Sequence, residues 1–71
     1  MYVIRAFTDN SFVFASDTKF GTDLRQANIF ETKDSAEKYY NNNIEKFNQF
    51  EYVAIYEIGF SSYCILKGNF Y

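Results

Sequence analysis

EYVAIYEIGFSSYCILKGNFY, residues 51–71, is the stretch whose reading decides the fold. Its aromatic and β-branched residues, in short apolar runs, read as strands. Gly59 divides the stretch into two strands, 51–58 and 60–67, and marks a change of direction or a bulge. Gly68-Asn69 ends the second strand before Phe70-Tyr71. An antiparallel strand covered on one side normally reads apolar-in, polar-out, but here both phases are largely apolar. Tyr52, Ala54, Tyr56 and Ile58 share one phase, and Val53 and Ile55 share the other. In the second strand Phe60, Cys64 and Leu66 oppose Tyr63 and Ile65. One phase is expected to meet a helix within the domain, and the other to be covered by something else.

Moving outward, YVIRAF (2–7) sets Val3 and Phe7 against Tyr2, Ile4 and Ala6, and SFVFAS (11–16) repeats the aromatic and β-branched bias. Both read as strands. Thr8-Asp9-Asn10-Ser11 between them is turn chemistry, which gives a first hairpin. Residues 17–27 carry turn formers and two large apolar side chains, Phe20 and Leu24. They are expected to form a loop with one helical turn, capped by Thr22 or Asp23, with Phe20 and Leu24 tucked beneath it. Residues 28–31 read as a short extended piece.

TKDSAEKYYNNNIEKFNQF (32–50) predicts the helix. Thr32 caps it, Asp34 and Glu37 lie near its positive end, and Lys46 lies near the other end. Ala36, Tyr40, Ile44 and Phe47, spaced four, four and three apart, form one apolar face with Tyr39 on its flank. The asparagines at 41–43 and 48 have modest helix propensity and read as a solvated face, so packing is expected to hold the second half. The result is a single α+β domain over 1–71. Two β-hairpins, with a short extra strand, form an antiparallel sheet, and one α-helix crosses one face, in the order ββ(β)αββ.

Composition narrows the function. A domain of 71 residues buries only roughly 60% of the surface its unfolded chain exposes, and such small domains lean on disulfides, metals, oligomerisation or dense packing. With one cysteine, no histidine and 23% aromatic residues, dense ring packing or oligomerisation remains. Cys64 reads as a reduced, buried thiol. Seven basic and nine acidic residues give a formal charge of −2, with the cations spread from Arg5 to Lys67 and no basic run. This argues against nucleic acid as a direct ligand. The N-terminus does not read as a signal peptide, and no apolar run reaches the ~18 residues of a membrane span. A cytoplasmic location is expected, with no membrane partner.

Catalysis has little to stand on. Cys64 has no histidine to activate it, and Asp9, Asp17 and Asp23 read as solvated turn formers. The glycines are isolated, so neither a phosphate-cradling loop nor a calcium loop is present. No catalytic residue, metal or cofactor is expected. Tyrosine suits contact surfaces, and Tyr52, Tyr56 and Tyr63 are the expected partner-binding residues. Strand register decides whether they share a face.

Within DLRQANIFETKDSAEKYY (23–40), Ala27, Phe30, Thr32 and Ala36 form an A-x-x-F-x-T-x-x-x-A helix entry. This segment, about a quarter of the chain, resembles one found in small phage and prophage proteins of low-GC bacteria. The Asn, Lys, Ile, Phe and Tyr richness similarly resembles an AT-rich coding bias. The resemblance implies a mobile-element protein acting in a host cell. The expected function is then a non-catalytic, phage-encoded inhibitor of a host defence or nucleic-acid enzyme, for example an anti-CRISPR, acting by protein–protein occlusion. Two alternatives stay open. One is a homodimeric small-nucleotide sponge using Lys19 and the loop from Gly21 to Arg25. The other is a structural or regulatory homodimer formed through the sheet.

Overall fold

A computed structural model describes residues 1–8, 11–16, 20–59 and 63–67, the side chains of 63–65 excepted. The fold is α+β. Strands β1 (Tyr2–Phe7), β2 (Phe12–Ala15), β3 (Phe20–Gly21), β4 (Tyr52–Glu57) and β5 (Tyr63–Lys67) form one antiparallel sheet in the order β3-β2-β1-β4-β5. Helices α1 (Lys33–Asn42) and α2 (Ile44–Phe47) lie between β3 and β4 in the chain, after a 3-10 turn at Leu24–Gln26. No helix among the described residues is long and apolar enough to cross a membrane.

β1 is the central strand because each of its edges finds a partner supplied by a different part of the chain. Arg5, Ala6 and Phe7 pair with Phe14, Val13 and Phe12 of β2. The whole of β1, from Tyr2 to Phe7, pairs with β4 from Glu57 to Tyr52. Where β2 no longer flanks β1, Phe30 takes its place, with reciprocal backbone bonds to Tyr2 of 2.7 and 2.8 Å. The extended piece at 28–31 thus contributes a single bridge, and the short extra strand is β3 instead. The first turn is closed by Thr8, whose hydroxyl accepts from Ser11 N–H at 3.1 Å. Gly59, at φ 89°, follows β4, in a conformation open to glycine at little cost.

Thr32 caps α1 as the sequence predicts, its hydroxyl accepting from Ser35 N–H at 3.1 Å. The helix does not continue to residue 50. Asn43 adopts φ −127°, ψ 32° and separates α1 from α2, and its side-chain amide donates to the Tyr39 carbonyl at 2.9 Å. A short polar side chain that satisfies a carbonyl in this way competes with the helix ladder. The break shifts the helical phase. Ala36, Tyr40 and Phe47 are buried, but Ile44, expected on the same face, is 46% exposed. Lys46 reaches across to the Ser16 carbonyl and to the Tyr39 hydroxyl at 2.8 Å. Lys67 of β5 serves the carbonyls near the helix end, donating to Asn48 O at 3.2 Å and Phe47 O at 3.4 Å.

The main core lies between these helices and one sheet face. Ile4, Ala6, Ala15, Val53 and Ile55 meet Ala36, Tyr40 and Phe47, and Tyr2, Val13, Phe20, Phe30, Tyr39, Phe50 and Leu66 close the periphery. Ring contacts converge on Phe47, with Tyr40 at 5.1 Å and Phe20 at 5.4 Å between centroids. Phe20 therefore packs inward, whereas Leu24, expected beside it, is 41% exposed on the 3-10 turn. That turn is capped by Asp23, which accepts from Arg25 N–H.

Candidate functional site: an arginine among rings on the second sheet face

Cross-strand partners share a face, so the register assigns the second face without ambiguity. It carries Val3, Arg5 and Phe7 from β1, Phe12 and Phe14 from β2, and Tyr52, Ala54 and Tyr56 from β4. Neither α1 nor α2 contributes to this face, because the buried residues of both pack with Ile4, Ala6, Val53 and Ile55 on the opposite one. Val3 and Ala54 at its base are 2% and 0% exposed, while the rings and Arg5 are half-buried.

Arg5 stands near the middle of the central strand. Directly across from it are Phe14 on β2 and the small Ala54 on β4. Ala54 leaves room for a long side chain to reach its diagonal neighbours. The guanidinium carbon lies 3.7 Å from the Phe12 centroid and 4.2 Å from that of Tyr56. Phe7 and Phe14 are at 5.3 and 5.8 Å. The rings also hold one another, Phe12 meeting Phe14 edge-on at 5.5 Å and Phe7 lying 6.2 Å from Phe12 and 6.3 Å from Tyr56. Each such cation–π contact contributes about 0.5–2 kcal/mol, more as water is excluded.

The Arg5 Nε is buried and has no hydrogen-bond partner. No Asp or Glu shares its phase on β1, β2 or β4, and the ion pair among the described residues is elsewhere, between Arg25 and Asp23 at 3.1 Å. The site is thus a half-buried cation packed among rings and, among the described residues, unpaired by any carboxylate of its own sheet face. Arg5 is also the lone cation among the described residues on that face, because Lys46 and Lys67 bond to groups on the helix side.

Of the tyrosines expected at a contact surface, Tyr56 is in this cluster and Tyr52 lies on the same face, opposite Phe7. Tyr63 takes the register position opposite Tyr56, and its side chain lies outside the described residues, as does that of Cys64. Tyr52 additionally borders an open cleft of about 800 Å³ at the end of the sheet, with Phe7, Thr8, Gln49, Glu51 and Lys67 on its walls. The sequence reading missed Arg5 and the three phenylalanines. The signal open to the sequence was Arg5 itself, the one charge in an otherwise apolar strand, on the phase of Val3 and Phe7.

The loop proposed for a nucleotide is built differently. Arg25 is engaged by Asp23, Nη2 to Oδ2 at 3.1 Å and Nε to Oδ1 at 3.1 Å. That hydrogen bonding, with the Arg25 backbone N–H adding to it, holds the Asp23 carboxyl below its ordinary value. The hollow beside it, lined by Phe14, Gly21, Asp23, Gln26 and others, is about 10 Å³, room for no more than about one water. Lys19, Asp9 and Asp17 lie outside the described residues.

No protein-family model, no curated protein and no solved structure matches the chain.

Proposed function

We propose that this chain is a non-catalytic protein-binding domain that docks a partner on the aromatic second face of its sheet. One observation carries the reading: three half-buried phenylalanines and one tyrosine, from three strands, surround an arginine that is unpaired among the described residues, on the face opposite both helices. Tyr and Arg are the residue types that dominate binding energy at protein interfaces, especially when packed centrally and shielded from water. Flat rings held by their neighbours lose little freedom on binding.

The specific form of the reading is a phage-encoded inhibitor that occludes a host defence or nucleic-acid enzyme, such as a CRISPR effector. The helix-entry resemblance and the AT-rich-like composition support that context, and the sheet face supplies the occluding surface. A homodimer through this same face is less well supported. Arg5 lies on the central strand, and a two-fold related copy centred there sets guanidinium against guanidinium.

The test is co-elution on size exclusion with purified CRISPR effectors and nucleases from low-GC hosts. Wild-type chain is expected to comigrate with its target and inhibit it, and Phe12→Ser with Tyr56→Ser is expected to abolish both effects while the helix-side fold persists. Inhibition that survives the double substitution overturns the assignment of this face.

A further inference from the structure

We infer that Arg5 is the anchor for a single carboxylate on the partner protein, and that the second sheet face selects a segment in which an Asp or Glu is flanked by apolar or aromatic residues. This rests on the docking reading above and specifies the chemistry of what docks.

Burial of Nε without a partner is unfavourable in the free chain, since a desolvated donor left unmade costs about 1–3 kcal/mol. A Leu or Met would fill the space between Phe12 and Tyr56 without that cost. The arginine is explained if the ligand brings an acceptor to the outer guanidinium nitrogens, since the rings shut off Nε itself. The rings of Phe12 and Tyr56, 3.7 and 4.2 Å from the guanidinium carbon, restrict where the group can go, and the planar fork of donors that any arginine carries matches the two oxygens of a carboxylate better than a point acceptor. The ring frame around it sets the second requirement: residues beside the carboxylate cover Phe7, Phe12 and Tyr56 and are therefore apolar.

Other occupants fit less well. Nucleic acid gains affinity by displacing several counterions, and this face offers one cation on a chain of formal charge −2. The same net charge disfavours an extended acidic patch, so the complement is one carboxylate in an apolar setting. A second copy has no such group to offer from this face, where the described strand positions carry no acid.

A library of random twelve-residue peptides, displayed and selected on the immobilised chain, tests this directly. Selected sequences are expected to share one Asp or Glu between apolar or aromatic residues. A synthetic representative should shift the Arg5 Nε–H and Tyr56 ring resonances, and its Asn- or Gln-substituted twin should bind at least tenfold more weakly. Arg5→Met should lose that preference while retaining the wild-type amide spectrum elsewhere. If peptides bind in a manner abolished by Tyr56→Ser, yet acid and amide versions bind alike, the carboxylate assignment is wrong and the docking face stands. If Phe12→Ser and Tyr56→Ser leave all selected peptides bound, or none is selected, both readings fall. Tighter binding of a twelve-residue oligothymidylate, or concentration-dependent dimerisation relieved by Arg5→Met, overturns the inference in favour of nucleic acid or a second copy.

Discussion

Arg5 is the residue at which stability and the proposed binding can be told apart. Its guanidinium gains ring contacts but leaves Nε unsatisfied, and the two effects oppose each other with similar size. Arg5→Met keeps a long, polarizable side chain against the same rings and removes the unmade donor. Its chemical-denaturation midpoint is expected to equal or exceed that of wild type, while partner affinity falls. A drop of several kcal/mol would place Arg5 among the folding determinants instead. Asp23 gives a second residue-scale test. Hydrogen bonding from the Arg25 side chain and backbone lowers its folded pKa below 3.8. The associated support for the 3-10 turn is therefore present above that ordinary value and is lost as pH falls through the lowered one. In an NMR pH titration, Arg25→Ala should return the Asp23 midpoint toward 3.8.

Elements reveal what the sequence could tell and what it could not. The cap at Thr32 and an antiparallel sheet with one main helix were legible because each rests on local chemistry or on aromatic and β-branched runs. The end of the helix was not. Its apolar spacing continued unbroken through Ile44, and only the Asn43 side chain, by bonding the Tyr39 carbonyl, turns the phase. The candidate-site residues divide in the same way: that Tyr52 and Tyr56 share a face followed from phase, but Arg5 gains its surroundings from Phe12 on β2 and Tyr56 on β4, a conjunction that exists after pairing and not before. These differences have measurable consequences. Thr32→Ala removes the α1 cap and should cost about 1 kcal/mol, a fall in Tm of about 4–8 °C for a domain of this size. Ile44→Ser should change stability by no more than about 0.5 kcal/mol. Phe47→Ala, at the ring crossroads, should cost about 3–5 kcal/mol. Equal effects at 44 and 47 in urea titrations would mean that the helix is continuous and Ile44 is core.

For the whole molecule, the sheet acts as a partition. One side carries the core shared with the helices, and the other, above the buried Val3 and Ala54, carries half-buried rings that the helices do not use. Ile55 and Tyr56 are consecutive in β4, and their side chains leave the strand on opposite faces, toward Phe47 and Tyr40 in one case and toward Arg5 and Phe7 in the other. Ile55 is fully buried and Tyr56 is half-buried. Ile55→Ala should therefore cost about 2–5 kcal/mol, a large part of the roughly 5–15 kcal/mol that holds any domain folded, and should broaden or abolish the unfolding transition. Tyr56→Ala leaves the helix-side core intact and should cost about 1–2 kcal/mol, within the range usual for single substitutions, with a cooperative transition retained. In a binding assay the order reverses: the folded fraction of Ile55→Ala should bind its partner with wild-type affinity, and Tyr56→Ala should bind at least tenfold more weakly. Similar stability losses at the two positions would mean that the second face is core as fully as the first, and the partition between holding the fold and meeting a partner would not hold.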